Sequence, residues 1–351
     1  MMFSRYRRRA RAYSSATAAV LALSGAVFLT GCGGTTSNTT AATSGHASGT
    51  KYTVVPLRID SNSGQIEFDT GFNGQAQKYG WTVLPALSAQ DSAGTQLAQV
   101  HTAVDQGAQG LMIDAADTNG IIPAIQYAGS KGAKVVAIDN LPSSGKGVYV
   151  GVTSDNQAMA ESACLGMGPA IHGKGVVLAV EGALNGSAGL DRQNGFTNCM
   201  KTKYPNVQVV QLVANWLPAT ASSLLATALT KYPHPAGIFV ASYNPYASPL
   251  FEALKAKGLT AKAGQPGHVY LAGVDNPTPA LQAIANGTAD LTVAQATNKI
   301  GQVGAEFMKD AFNGVKLQAG QTVNGYVLKD VGGYPVAEVP APVITKANVN
   351  Q

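Results

Sequence analysis

The sequence predicts an α/β fold of two lobes, each built on a mostly parallel sheet. Two observations carry this prediction. Short apolar runs alternate with helical segments from residue 54 to residue 152, and the same alternation restarts at residue 156. The chain has 351 residues, of which 45% are hydrophobic, and this is enough for roughly two domains with buried cores. Regular strand–helix alternation with short glycine-containing turns is typical of doubly wound parallel sheets.

The first half contains five predicted strands. The apolar run 54–59 is the first, and a polar loop at 60–65 separates it from a helix that ends at Lys78. The other predicted strands are 81–84, 110–113, 134–138 and 149–152, and the other predicted helices are 92–106 and 118–131.

The second half repeats the alternation without a recognisable linker, which favours two lobes over one large sheet. Its predicted helices are 156–171, 189–204, 219–231, 249–257 and 300–313, and its first predicted strands are 175–180, 207–213 and 237–240.

The stretch from His268 to Gln295 is the clearest unit of this half. An apolar strand ends in Asp275, a helix begins with Asn276 as the predicted N-cap and closes at Gly287, and a second strand ends in Gln295. A right-handed βαβ unit brings the carboxyl ends of its two strands to the same sheet edge. Open α/β sheets bind ligands at that edge, so a carboxylate and an amide there indicate a hydroxylated small molecule.

The first fifty residues indicate a leader and a tether. Residues 1–31 carry five arginines between positions 5 and 11 and then a short apolar run, which is typical of a signal peptide. Without those arginines the other 19 basic residues balance 19 acidic ones, so no basic patch for nucleic acid is expected. Leu29-Thr30-Gly31-Cys32 resembles the lipobox of bacterial lipoproteins, which implies lipid on Cys32 and an extracytoplasmic, membrane-anchored protein. A plain cleaved signal peptide or a lone membrane anchor is the alternative.

Residues 32–50 are rich in Gly, Ser, Thr and Ala, which predicts a flexible tether. Besides Cys32 the chain holds Cys164 and Cys199, in consecutive predicted helices. An even pair in an oxidising compartment can form a disulfide or remain as two buried thiols, and the sequence leaves both open.

Over residues 52–340 the chain resembles the type I periplasmic substrate-binding proteins of ABC importers, in particular the ribose- and galactose-type sugar binders. Order and spacing match throughout the pieces that carry the resemblance, which are 71–81, 110–114, 135–139, 153–156, 191–196, 272–275 and 293–295. The resemblance implies two Rossmann-like lobes joined by a three-crossover hinge, with crossovers near Ser154, Gln295 and Tyr326. The first lobe is then expected to hold 51–154 and 296–325, and the second lobe 155–295 and 326–345.

The resemblance also implies a set of ligand contacts. Asn62, Asp139, Asp275 and Gln295 match the family's polar contacts, and Trp216 falls on the aromatic position that stacks on a sugar. The other four expected site residues depart from the pattern: Gln65 stands at an aromatic position, Asn140 at an arginine position, and Tyr243 and Asn244 at an Asn-Asp pair. Leu190 replaces a second arginine and is not itself an expected contact. Loss of both arginines argues against a charged ligand and favours a neutral sugar or polyol.

Each of these residues has a structural alternative. Trp216 could be a core residue, and Tyr243 and Asn244 could be turn residues beside Pro245. Asp139 and Asp275 could be helix caps or hinge anchors. Asp114 also ends a predicted strand but has no counterpart among the family's contacts, so we expect it to be structural.

Other functions lack their signals. The five histidines show no metal-binding spacing, no nucleophile–base pair is visible, and neither a phosphate loop nor a dinucleotide fingerprint is present. We therefore expect no enzyme, no metal and no cofactor. The leading hypothesis is an extracytoplasmic solute-binding lipoprotein that delivers a sugar or polyol to an ABC permease. The alternative is a sensor of the same fold that presents its closed form to a membrane receptor or kinase.

Overall fold

The computed structural model describes residues 51–350, and Cys32 with the rest of the leader and tether lies outside them. The first part of the chain contains β1 (Thr53–Arg58), α1 (Ser63–Lys78), β2 (Thr82–Val83), β3 (Leu87–Ser88), α2 (Ala93–Asp105), β4 (Gly110–Ile113), α3 (Ile122–Ser130), β5 (Lys134–Ile138) and β6 (Val150–Thr153). The second part contains α4 (Asn156–Ala170), β7 (Lys174–Glu181), α5 (Ser187–Lys203), β8 (Asn206–Val213), α6 (Pro218–Lys231), β9 (Gly237–Val240), α7 (Tyr243–Ala256), β10 (Tyr270–Val274), α8 (Thr278–Asn286) and β11 (Leu291–Val293). The last part contains α9 (Thr297–Phe312), β12 (Thr322–Val323), β13 (Tyr326–Val327), β14 (Lys329–Val331), β15 (Tyr334–Glu338) and β16 (Val343–Thr345).

These strands form two large sheets, as the sequence predicts. The first has the order β14-β15-β6-β5-β4-β1-β2, with β3 also paired to β1, and only β14 is antiparallel to its neighbour. The second has the order β16-β11-β10-β9-β7-β8, and there only β16 is antiparallel. We call the first sheet with its helices α1, α2, α3 and α9 the first lobe, and the second sheet with α4 to α8 the second lobe.

The last crossover between the lobes differs from expectation. The chain leaves the first sheet after Thr153 and the second after Val293, but the third crossover does not fall near Tyr326. Instead β15 pairs in parallel with β6, so the chain stays with the first lobe through Glu338, and β16 then joins β11 in the second lobe. The reason is burial, because Tyr334 and Val336 pack against Leu141 in the first lobe. Residues 326–338 therefore belong to the first lobe.

Glycines allow two helices of the first lobe to touch. A Cβ atom on Gly71 of α1 would lie 1.9 Å from the carbonyl oxygen of Asn298, and a Cβ on Gly301 of α9 would lie 2.0 Å from that of Phe68. No side chain fits at these distances, so the two backbones meet directly. This contact holds the middle of α1, a helix whose first residues border the cleft, against the helix that follows the second crossover.

A disulfide joins two helices of the second lobe. Cys164 on α4 and Cys199 on α5 are bonded, with Cα atoms 6.2 Å apart and 35 positions apart in sequence. A loop of this length is expected to contribute about 3–4 kcal/mol to stability. The bond thus holds α5, the helix that carries Arg192 toward the cleft, against α4. Among residues 51–350, no helix combines the length and hydrophobicity needed to cross a membrane.

Candidate ligand-binding site

The two aspartates at strand ends occupy equivalent places in the two lobes. Asp139 follows β5 and Asp275 follows β10, and both have positive φ angles, 50° and 69°. Residues other than glycine seldom adopt this left-handed conformation, and it recurs at functional sites where the surrounding structure holds it in place. Here the backbone N–H of each aspartate donates to the neighbouring strand, Asp139 to Val152 and Asp275 to Val293. Each carboxylate is thereby turned into the space between the lobes.

Arg192 lies between these two carboxylates, and the sequence analysis missed it. Its Nη2 atom is 3.9 Å from Oδ1 of Asp139, and its Nη1 atom is 3.8 Å from Oδ2 of Asp275. Its side chain is almost fully buried and donates hydrogen bonds to Asn156 Oδ1, the Ala241 carbonyl and Gln295 Oε1, at 2.8, 2.9 and 3.0 Å. The two positions where the family carries an arginine hold Asn140 and Leu190 in this chain. Arg192, two residues after Leu190 on α5, brings a guanidinium to the site instead.

Gln295 connects the lobes at this point. Its Nε2 donates to Oδ1 of Asp139 at 2.6 Å while its Oε1 accepts from Arg192. On the other side, Ser242 Oγ donates to Oδ2 of Asp275. Oδ1 of Asp275 is buried with no hydrogen-bond partner among the described residues. Burial raises the pKa of Asp275, and the guanidinium of Arg192 opposes the rise. One oxygen of this carboxylate is therefore available for a donor from a ligand.

Trp216 forms an aromatic wall of the same space. It too has a positive φ angle, 61°, and its backbone N–H donates to the hydroxyl of Tyr246 at 2.8 Å. The guanidinium carbon of Arg192 lies 5.9 Å from the indole centroid, and Gly182 leaves room for the ring, since a Cβ there would be 2.0 Å from it. Trp216 is 9% exposed, and it lines the cleft rather than being sealed in the core.

The opposite wall comes from the loop after β1. Asn62 caps α1 by accepting from Gln65 N–H, and its Nδ2 donates to Asp60 at 2.9 Å. Gln65 accepts from Ile59 N–H and donates to Asp114 Oδ2 at 2.5 Å. Both amides line the cleft as expected, but their hydrogen bonds mainly hold the loop. Asp60, which the sequence analysis did not single out, also lines the cleft.

Asn140 forms a second connection between the lobes, and Asp114 of the same lobe holds it in place. Nδ2 of Asn140 donates to Oδ1 of Asp114 at 3.0 Å, and its Oδ1 accepts from the backbone N–H of Ala188 at the start of α5. Burial, together with nearby Asp139, raises the pKa of Asp114. Asp114 does not line the cleft, but it positions Gln65 and Asn140, which do. Asp114 therefore has a structural role as a hydrogen-bond partner of two residues that line the cleft.

Tyr243 and Asn244 separate from each other in the structure. They are the first residues of α7, which starts six residues earlier than predicted. Tyr243 is fully buried in the second lobe's core and does not line the cleft, so its expected role as a ligand contact is wrong. Asn244 lines the cleft and accepts from Ser63 Oγ of the first lobe at 3.0 Å. A helical start sends adjacent side chains in directions about 100° apart, so only one of the two can face the cleft.

The cavity between the lobes takes in about 410 Å³ of space between atoms, counted out to its mouth. Eight of the nine expected contacts line it; these are Asn62, Gln65, Asp139, Asn140, Trp216, Asn244, Asp275 and Gln295. Arg192, Asp60, Ser242 and Thr297 add polar atoms, and Phe68 adds a second aromatic ring. Carboxylates and amides beside aromatic faces suit a compact molecule that carries both hydroxyl groups and C–H surfaces.

Comparisons with known proteins identify the family to which this chain belongs. A profile of the family described as "periplasmic binding protein domain" matches residues 53–316. The chain therefore belongs to the periplasmic binding protein family, whose members bind solutes and are not enzymes, as the sequence predicts.

The chain is also similar to individual proteins and to solved structures. It is 28% identical over 255 residues to the ribose import binding protein of Bacillus subtilis, covering 72% of this chain and 79% of the relative. It is 26% identical over 267 residues to the xylitol-binding protein of Mycolicibacterium smegmatis, covering 75% and 68%. The fold matches a Burkholderia graminis ABC transporter solute-binding protein in complex with D-arabinose, with a TM-score of 0.73 at 18% identity, covering 86% and 98%. The two α/β lobes of this chain thus share the fold of that solute-binding protein.

Beneath Trp216, the buried Glu181 makes the stability of the second lobe depend on pH. Its carbonyl accepts from the Tyr246 hydroxyl at 2.9 Å, and its carboxyl group, 1% exposed, accepts from Gln193. Burial raises the pKa of Glu181 from 4.5 to about 7. Because the folded protein holds this proton more tightly than the unfolded chain does, the stabilisation is complete below about pH 4.5 and is lost as pH rises through about 7.

We therefore expect Glu181→Gln to gain stability relative to the parent as pH rises from about 4.5 to about 7, since the amide still accepts from Gln193 but never ionises. Urea unfolding at a series of pH values measures this difference. Glu252→Gln, at an exposed position, is the control and should follow the parent at every pH. A constant difference between Glu181→Gln and the parent across the range would contradict the expectation.

Proposed function

We propose that the protein captures a neutral sugar or polyol between its lobes and delivers it to an ABC permease. One observation carries the proposal: Asp139 and Asp275, from opposite lobes, flank a single guanidinium beside the ring of Trp216. The guanidinium is already committed to three protein acceptors, so it offers little to an anionic ligand. Oδ1 of Asp275, which accepts no hydrogen bond from any residue in the range 51–350, suits a hydroxyl donor.

The relatives' printed names agree with this ligand class, since they include ribose-, D-xylose- and xylitol-binding proteins. We infer that the ligand contacts are the eight expected residues that line the cavity together with Arg192, and that Tyr243 is not a contact. A thermal-shift screen over pentoses, hexoses, pentitols and inositols identifies the solute, because a ligand that binds only the folded state raises the unfolding temperature.

The central test uses calorimetric titration with the solute that gives the largest shift. Asp139→Ala and Asp275→Ala should each weaken binding about tenfold to a hundredfold, because each leaves ligand hydroxyls unpaired in a buried site. Trp216→Ala should weaken it at least as much, by removing the aromatic face.

Trp81→Ala is the matched control for the aromatic variant. Trp81 is 8% exposed and lies in the first lobe's core against Tyr52 and Phe312, away from the cleft. Its loss should lower the unfolding temperature but leave the dissociation constant within a few-fold. If Trp216→Ala and Asp275→Ala both bind like the parent, the ligand does not occupy this cavity.

We also propose that a lipid on Cys32 anchors the protein outside the cytoplasmic membrane. The lipobox-like sequence 29–32 and the uncharged segment that follows support the anchor. Family membership supports an extracytoplasmic location. Both features belong to residues outside the described part of the chain.

Expression with labelled palmitate tests the anchor. The parent should carry label and sediment with membranes, and Cys32→Ser should lose the label and become soluble after its leader is cut. Cys164→Ser is the control, because it changes a cysteine of the folded domain and should keep its label. Palmitate that persists on Cys32→Ser would contradict the lipid anchor.

A further inference from the structure

A second, larger chamber lies beside the ligand cavity, between the lobes on the side of the hinge. It takes in about 1250 Å³ of space between atoms, counted out to its mouth. Its first-lobe wall includes Leu141, Pro142, Val331 and Val336, and its second-lobe wall includes Leu184 and Leu190. Asp139 lines both this chamber and the smaller cavity, so one side chain borders the two spaces.

Two large apolar side chains that line the chamber are exposed to solvent. Leu190, on α5, is 41% exposed, and Val331, on β14, is also exposed. Both face into the cleft between lobes rather than outward on an isolated patch of surface. Exposed apolar side chains on opposite walls of one cleft favour binding of an apolar chemical group between them.

The charged side chains that line the chamber restrict the charge of a group bound there. Asp139, Asp155, Asp191 and Glu338 line it, and no lysine or arginine is among the described residues that do. Asp155 caps α4 by accepting from Ala158 N–H, and Lys329 pairs with Glu338. A phosphate or carboxylate in this chamber would meet carboxylates and no cation of its own, so an anionic substituent is excluded on electrostatic grounds.

We propose that this chamber is a second subsite, which holds a neutral, apolar substituent on the sugar or polyol bound in the smaller cavity. The inference rests on the proposed function and deepens it, because it assigns the ligand as a substituted compound such as a glycoside with an apolar aglycone. The substituent leaves the polar ring past Asp139 and packs between Leu190 and Val331. Binding of the polar part and of the apolar part then depend on different residues.

Calorimetry with a matched set of compounds tests the subsite. The set contains the screened sugar or polyol with the largest thermal shift, its mono-O-phenyl derivatives, one for each hydroxyl, and the corresponding 4-carboxyphenyl derivatives. At least one phenyl derivative should bind at least as tightly as the parent compound, with a gain of about tenfold expected from burial of the ring. Its carboxyphenyl counterpart should bind more weakly than the phenyl derivative.

Two chamber variants and one control complete the experiment. Leu190→Trp and Val331→Trp fill the chamber from opposite walls, and each should lower the affinity ratio of phenyl derivative to parent compound below that of the unmodified protein. Leu165→Trp is the control, since Leu165 is also 41% exposed but lies on α4 outside the chamber, and it should keep the ratio. Because the two substitutions lie on different lobes, the test can still be made if one of the two variants fails to fold.

The outcomes separate the two proposals. If the sugar or polyol binds but every phenyl derivative binds more weakly, the subsite is wrong and the proposed function stands. An unchanged ratio in both chamber variants also overturns the subsite, because the ring is then held elsewhere. If no compound of the screen or of the substituted set binds, the proposed function fails and the subsite with it.

Discussion

The site depends on one buried guanidinium placed between two carboxylates from opposite lobes. A cation between two buried carboxyl groups offsets the cost of removing them from water, and without it their charges would repel strongly. Arg192 supplies that cation, and its three hydrogen bonds to the protein keep it from swinging toward either acid. Gln295 extends the arrangement across the lobes by contacting both Arg192 and Asp139. A hydroxylated ligand thus meets carboxylates already oriented to accept.

Contacts between the lobes show that the structure is a closed form. Asn140 joins Asp114 of the first lobe to Ala188 of the second, and Ser63 joins Asn244 across the cleft. Several residues expected to contact ligand therefore also hold the lobes together. Affinity in such a protein is the sum of ligand contacts and of closure, so a residue such as Asn140 acts on binding through the equilibrium between open and closed lobes as well as through direct contact.

The fold and the cleft were largely predictable from sequence, and the exceptions have physical causes. Asp139 and Asp275 could be found because open α/β sheets bind ligands at the carboxyl ends of their strands, and each acid follows a strand in the sheet of its own lobe. Arg192 was missed because it sits within a helix, where periodicity does not reveal which side chain reaches the cleft, although the matching segment 191–196 contained it. Tyr243 was wrong because the start of α7 decides which side chain turns inward. The third crossover was wrong because strand pairing of β15 is a long-range contact that local pattern does not record.

The most direct measurement of the central claim is tryptophan emission during ligand titration. The chain has two tryptophans, Trp81 in the first lobe's core and Trp216 on the wall of the cleft. In Trp81→Phe, with only Trp216 left, the identified solute should change the emission saturably, with the dissociation constant found by calorimetry. In Trp216→Phe, the remaining indole should respond little. A signal that persists in Trp216→Phe and vanishes in Trp81→Phe would place the ligand outside this cleft.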